Sequence, residues 1–300
     1  MKKYLLPLEQ LEALNAELLS IADSLANPVI IVGGQSVSYW YSYYQESIPH
    51  FDMIPLASVD IDYIAQKDDI SKIVKAWNVD VQMAGIDVGP PSIAIAYLKD
   101  KDTQQIKSIE GCNFIDVDEM ELGFDEPNLV DFIDAPAGFN IQDVKDVQKR
   151  KFLTSLFQFS TAFDIQPNEK ILILNPIGCF KSRVGNLFHS PKQQGIELIR
   201  IESLKYPLVY FFQDLAAEEP FRKVRKHITV LHKLLLTEDS IRLFTEYDVD
   251  YRSVFANIVL KTPGGSEKYY EFDGPNLIRS LNKKYEQRKK VKKAFLNRNR

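Results

Sequence analysis

A run of four apolar residues, Val29–Val32, ends in the double glycine Gly33-Gly34, and this junction constrains the fold more than any other stretch. The apolar run predicts a short buried strand, and the two glycines predict a turn that ends it. The next segment, QSVSYWYSYYQ, suits a helix or a strand by propensity, but Ser36 near its start favours a helix. The sequence therefore predicts a strand, a glycine turn and a helix in succession.

Strand and helix patterns alternate through the first half of the chain and give way to helical patterns in the second. The segment SVDIDYIA (58–65) alternates polar and apolar residues, which is typical of a strand with one buried face. Further strands are predicted at 92–100, 112–117, 128–134 and 170–175, and a helix after Pro176. We predict a mixed α/β domain over residues 1–175 and a mainly helical domain over residues 176–300.

Composition excludes several classes of protein. The 300 residues carry a net charge of −4 and an ordinary share of apolar residues, which argues against a disordered or fibrous chain. Cys112 and Cys179 are too few and too far apart for a disulfide framework or a C-x-x-C site. No secretory leader or membrane-spanning stretch is evident, so we expect a cytoplasmic protein without a membrane partner.

Two aspartates in the strand pattern suggest a cation site. Residues i and i+2 of a strand point to the same face, so Asp60 and Asp62 should present two adjacent carboxylates. Two such carboxylates repel each other unless a cation lies between them. Mg²⁺ favours oxygen ligands of this kind and commonly also binds substrate phosphates.

The glycine junction suggests the complementary anion site. A glycine turn that leads into a helix exposes backbone N–H groups to a phosphate, and the helix dipole favours the negative charge. Glycine also removes the Cβ that would obstruct this approach, and Ser36 can add a hydroxyl donor. An anion cradle beside a cation platform is what a metal-bound nucleoside triphosphate requires.

These motifs, in this order, resemble the DNA polymerase β-type nucleotidyltransferase superfamily. Within it, GGQSV and SVDIDYI are most similar to bacterial abortive-infection and toxin–antitoxin-associated nucleotidyltransferases. The resemblance covers roughly residues 29–188, because NLVDFID supplies Asp131 and ILILNPIGCFKSRV supplies Pro176 and Lys181. It implies a mixed sheet flanked by helices, followed by a helical C-terminal domain.

The resemblance also implies an activity and a set of roles. The enzyme would transfer a nucleoside monophosphate from an NTP to an acceptor hydroxyl, with Mg²⁺ as cofactor and with catalysis mainly by positioning and charge neutralisation. Seven residues match the superfamily pattern: Gly33, Gly34 and Ser36 for the triphosphate, Asp60, Asp62 and Asp131 for the metal ions, and Lys181 for phosphate contact or the shape of the nucleotide pocket.

Three departures from the family pattern leave alternatives open. Twenty-five residues separate Gly34 from Asp60, which is longer than usual in the superfamily, and the motif expected after the helix lysine is missing at Lys192. Asp116, on a predicted strand, competes with Asp131 as the third carboxylate. The alternative function is a catalytically decayed module of the same fold that binds a nucleotide or a protein partner.

The C-terminal segment is strongly basic. The last twenty residues contain nine Lys or Arg and one Glu. This pattern is typical either of a solvated helix end, where the helix dipole favours cations, or of a contact with a polyanion. The resemblance favours an RNA acceptor at this segment and, for a toxin, a protein antitoxin as partner.

Overall fold

The structure, a computed structural model, describes residues 3–49, 58–84, 92–160, 165–190 and 194–298, with the side chains of 296–298 left out. The chain forms two compact units, Met1–Gln45 with Pro49–Ser182 and Glu46–Ile48 with Arg183–Arg300. The division lies within the helix Pro176–His189, later than the boundary predicted after residue 175. The first turns of this helix belong to the first unit, because Cys179 packs there against Ser36.

The first unit is built on a seven-stranded mixed sheet. Its elements follow one another as α1 (Pro7–Leu19), β1 (Val29–Ile31), α2 (Gly33–Tyr43), β2 (Ile61–Ile64), α3 (Lys67–Trp77), β3 (Val79–Met83), β4 (Ser92–Asp100), β5 (Ser108–Ile109), β6 (Cys112–Asn113), α4 (Val117–Glu121), β7 (Leu129–Ile133), α5 (Ile141–Lys145), α6 (Val147–Arg150), β8 (Thr154–Leu156), β9 (Ile171–Leu174) and the start of α7 (Pro176–His189). The strand order is β3-β4-β7-β2-β1-β9-β8, and β5 and β6 form a separate two-stranded ribbon.

The directions of the central strands decide which residues meet. Strand β2 runs parallel to β7 and antiparallel to β1, whereas β1 runs parallel to β9. The end of β1 therefore lies beside the start of β2, as the helix α2 leaves the sheet. These features confirm the predicted mixed sheet with flanking helices.

An aromatic cluster fills one face of the sheet. Tyr63 of β2 and Phe132 of β7 are fully buried and lie with Trp77 at ring-centroid distances of 5.8 to 6.2 Å. The polar atoms of two rings are satisfied, since the Tyr63 hydroxyl donates to Asn15 and the Trp77 indole N–H donates to the Leu14 carbonyl. Because side chains alternate along a strand, Asp62 and Asp131 point away from this cluster to the other face.

The second unit is helical where it is described. Its helices are the rest of α7, α8 (Gln194–Ser203), α9 (Lys205–Glu218), α10 (Phe221–Leu235), α11 (Glu238–Tyr247), α12 (Arg252–Lys261) and α13 (Gly274–Arg298). This confirms the predicted helical C-terminal region. A short π-helical turn, Tyr269–Asp273, leads into α13. Among the described residues, no helix is both long and apolar enough to cross a membrane.

Three sequence predictions differ from the structure. The strand predicted over 112–117 is limited to Cys112–Asn113. The edge strands β3 and β8 were not anticipated, because an edge strand with one partner needs little apolar patterning. The segment DDISKIVKAWN predicts a helix capped by Asp68 or Asp69, but α3 begins after Gln66 without a side-chain cap, and Asp69 instead accepts the backbone N–H groups of Ala26 and Asn27.

A buried amide network fixes the starts of β2 and β7. The Asn128 amide donates to Gln10 at 2.8 Å and to the Val59 carbonyl at 3.1 Å, while its oxygen accepts from Leu129 N–H. The Gln10 amide in turn donates to the Ile115 carbonyl. Since Val59 immediately precedes Asp60, this network holds the chain that carries the first aspartate.

We expect Asn128→Ala to lower the free energy of unfolding by about 2–4 kcal/mol, because it leaves buried acceptors without donors. Urea denaturation of the full chain measures this change. Gln142→Ala, on an exposed side chain of α5, is the control and should change stability by less than about 0.5 kcal/mol. Equal effects of the two substitutions would show that the network does not stabilise the fold.

Candidate active site

Two aspartates meet where β2 and β7 run side by side. Asp62 and Asp131 are direct partners in the parallel register, and both are partly exposed on the face opposite the aromatic cluster. Ser92 at the start of β4 contributes a hydroxyl 3.4 Å from Asp131 Oδ1. The structure therefore brings together two of the three predicted carboxylates and orients one of them with a serine.

Gly33 lies directly against the carboxylate of Asp62. A Cβ atom added to Gly33 would lie 1.8 Å from Asp62 Oδ2, and the glycine has a positive φ of 71°. The backbone reinforces this contact, because Val32 N–H donates to the Asp62 carbonyl at 2.9 Å. A glycine is required here both by the backbone conformation and by the space that the carboxylate occupies.

The same contact puts a negative charge at the start of a helix. Helix α2 begins at Gly33, so the Asp62 carboxylate lies at the end where the helix dipole is positive. The predicted anion site at the glycine turn and the predicted cation site at Asp62 are therefore adjacent parts of one site. Gln35 strengthens this arrangement, because its amide donates to the Ser58 carbonyl at 2.5 Å, two residues before Asp60.

Ser36 has a structural role in this state of the protein. Its side chain is fully buried, and its hydroxyl donates to the Gly33 carbonyl at 2.8 Å. The Cys179 thiol of α7 lies 3.4 Å from the same hydroxyl. Ser36 thus stabilises the glycine turn from its buried side. Gly34 is also buried and lies in the first turn of α2.

Asp60 lies next to a different group of acidic residues. It immediately precedes β2 and is exposed. Burial, followed by the nearby charges of Asp116 and Asp60, raises the pKa of Asp118 in α4, which places Asp60 within electrostatic reach of that helix. Among the residues that the structure describes, no three His, Cys, Asp or Glu side chains form a group that could hold a metal ion.

The alternative third carboxylate, Asp116, does not lie on a strand. It is the N-cap of α4, and its carboxylate accepts the backbone N–H groups of Asp118 and Glu119 at 3.0 and 3.3 Å. The strand prediction failed because an aspartate before a short acidic helix is better used as a cap. The register with Asp62 belongs to Asp131 instead.

Lys181 is held by a partner that the sequence did not suggest. Its ammonium lies 2.5 Å from Asp143 Oδ2 and 4.6 Å from the centroid of the Phe139 ring. Both charged side chains are mostly buried, with exposures of 20% and 16%. Phosphate contact by Lys181 would have to compete with this ion pair.

The donor set fits a Mg²⁺ ion in its chemistry. Asp62 and Asp131 supply paired carboxylate oxygens, which Mg²⁺ prefers, and Mg²⁺ commonly completes its coordination shell with water and substrate phosphates.

The sequence analysis did not identify three residues at or near this site, which are Ser92, Gln35 and Asp143. A serine at a strand start and an amide in a helix carry no local signal of the residues they contact.

Comparisons with protein-family models, with curated proteins and with solved structures found no match to this chain. The nucleotidyltransferase resemblance therefore stands on the motifs alone.

We expect Gly33→Ala to destabilise the fold by at least about 2 kcal/mol more than Gly111→Ala. Both glycines have a positive φ, of 71° and 76°, but the added methyl meets Asp62 at the first position and open space at the second. Chemical denaturation of the two variants separates the steric contact from backbone strain. Similar losses would mean that the Asp62 carboxylate moves aside at little cost.

Proposed function

We propose that this protein is a Mg²⁺-dependent nucleotidyltransferase, which transfers a nucleoside monophosphate from an NTP to an acceptor hydroxyl and releases pyrophosphate. The observation that carries the proposal is the convergence of Asp62, Asp131 and Gly33 at the start of α2. The strand order supports the proposal as well, because it brings together motif residues that are far apart in the chain.

Each part of this arrangement has a chemical use. Asp62 and Asp131 would hold Mg²⁺, and Asp60, which immediately precedes β2 beside Asp118, would have to turn toward them to act as a third carboxylate. The metal supplies Lewis-acid stabilisation of the phosphoryl oxygens. The N–H groups of Gly33, Gly34 and the next residues would bind a phosphate at the positive end of α2. Asp131, which accepts a hydrogen bond from the Ser92 hydroxyl, would accept the proton of the acceptor hydroxyl.

The direct test is transfer of label from a radiolabelled NTP in the presence of Mg²⁺ to RNA or to protein. We expect Asp62→Asn and Asp131→Asn each to lower the rate by about 100-fold or more, because each removes a charge from the metal site while preserving shape. Removal of Mg²⁺ with a chelator should have the same effect.

Asp80→Asn is the matched control, since Asp80 is an exposed aspartate on the edge strand β3. It should leave transfer unchanged, and circular dichroism should report the same fold for all three variants. Wild-type rates in folded Asp62→Asn and Asp131→Asn would refute the proposal.

A second candidate is a non-catalytic module on the same scaffold, which binds a nucleotide or a partner protein. The observation in its favour is the ion pair of Lys181 with Asp143, together with the absence of a three-carboxylate group in the described ranges. Nucleotide binding without Mg²⁺ in calorimetry, combined with no transfer to any acceptor, would favour this candidate over the enzyme.

The proposed acceptor is RNA, and the proposed contact is the C-terminal part of α13. Lysines there are exposed, among them Lys284, Lys290 and Lys293. Binding of a polyanion by such cations releases counterions and is therefore weakened by salt. For a toxin of this kind, a protein antitoxin would be the further partner, and both would act in the cytoplasm.

We expect simultaneous replacement of Lys284, Lys290 and Lys293 by Gln to reduce the slope of log affinity against log salt by about 2, at about 0.7 for each lost phosphate contact with single-stranded RNA. Fluorescence anisotropy with a labelled RNA measures the slope. The control with equal charge change replaces the exposed Lys226, Lys261 and Lys268. Equal slopes for both triple variants would rule out a localised contact.

A further inference from the structure

A pocket of about 170 Å³ lies in the first unit, at the opposite ends of β2 and β7 from Gly33. Its walls combine apolar side chains from the sheet and α5 with polar side chains from α5, α6 and the loops at the ends of the strands. Ile30, Ile64 and Val144 supply apolar surface, and the residues that line it with polar groups are Asn27, Gln66, Asp134, Lys145 and Arg150.

The cations of this pocket have few partners. Arg150 is half-buried, and the hydrogen bond that its guanidinium makes among the described residues is to the Val144 carbonyl, at 3.2 Å. A guanidinium carries five N–H donors, so most of its donors are left for solvent or a ligand. No carboxylate in the described part of the chain forms an ion pair with Arg150 or with the exposed Lys145.

A partly buried guanidinium with a single hydrogen bond to the residues described, like that of Arg150, lowers the stability of the fold unless an anion binds to it. Burial lowers the pKa of the Arg150 guanidinium, which reflects the loss of hydration around its charge. Charged side chains that leave water are normally paired, because an uncompensated charge in a protein is destabilising. One carboxylate, Asp134, lines the same pocket and opposes the two cations, so the local charge remains positive.

The pocket opens on the face of the sheet that carries the two aspartates. Ile64 is two residues after Asp62 and therefore points to the same face, about 7 Å further along β2. Ile30 is the cross-strand partner of Ile64 and shares that face. The pocket is thus close to the carboxylate pair, because Ile64 in its wall is the next residue after Asp62 on this face of β2.

The size of the pocket limits its ligand. Sites for drug-sized ligands usually have volumes of about 300–1,000 Å³, so this one suits a small group rather than a whole nucleotide. Arg recognises phosphate through paired N–H donors, and Lys adds a point charge. Amide side chains of Asn27 and Gln66 add polar surface at the same rim.

We propose that this pocket is an anion site for a phosphoryl group, bound by Arg150 and Lys145 and distinct from the Asp62–Asp131 pair. The group belongs either to inorganic phosphate or to a phosphate of a larger molecule whose remainder lies outside the pocket. Binding here requires neither Mg²⁺ nor transfer, so it stands or fails separately from the proposed activity.

The test is calorimetric titration of the full chain with inorganic phosphate, without metal and at constant ionic strength. We expect Arg150→Gln to weaken phosphate binding about tenfold or more, since it removes the charge and the paired donors. Asp134→Asn should strengthen binding by about two- to threefold, because it removes the opposing charge. Lys149→Gln, an exposed neighbour of Arg150 outside the pocket, is the control and should bind as the wild type does.

Two further arms keep the test decisive. Ala65→Met adds volume inside the pocket without changing charge and should abolish binding, even if Arg150→Gln proves unstable. Adenosine monophosphate replaces phosphate in a parallel titration, and sensitivity of its affinity to Arg150→Gln would identify a nucleotide phosphate as the source. Phosphate binding that is undetectable at millimolar concentration, or unaffected by Arg150→Gln and Ala65→Met, would overturn the proposal.

Discussion

The contact between Gly33 and the Asp62 carboxylate is the constraint on which the rest of the first unit depends. It requires β1 and β2 to run antiparallel as neighbours, so that the end of one meets the start of the other. It also requires a residue without a Cβ at the point where the chain turns into α2. The buried Ser36 hydroxyl and the Gln35 amide fix that turn from two sides.

The two faces of the sheet have different roles, since one packs an apolar core and the other carries the candidate site. One face buries the cluster of Tyr63, Trp77 and Phe132, and this cluster stabilises the strands through apolar burial. The other face carries Asp62 and Asp131 side by side, which is unfavourable for like charges unless a cation or the positive end of a helix compensates them. A protein that retains such a pair at a helix start gives up some stability there, as is common at functional sites.

Sequence reasoning was most successful where a pattern reports local structure. The strand at Val29–Val32, the alternation around Asp60 and Asp62 and the helical periodicity of the second unit correspond to elements of the structure. It was wrong to extend a strand through Asp116, because a single aspartate before an acidic segment is equally typical of a strand residue and of a helix cap. It also gave Lys181 no partner, since the ion pair with Asp143 joins two helices that are distant in the chain.

The sequence by itself determined the central strands and the helices of the second unit, the glycine at the turn and the pair of aspartates one residue apart, because these depend on side-chain periodicity and on backbone freedom. The tertiary structure alone decided that Asp131 rather than Asp116 faces Asp62, through the parallel register of β2 and β7. It alone also brought Lys145 and Arg150 to a pocket beyond that pair. Strand order and register arise from contacts between distant segments, and no local pattern encodes them.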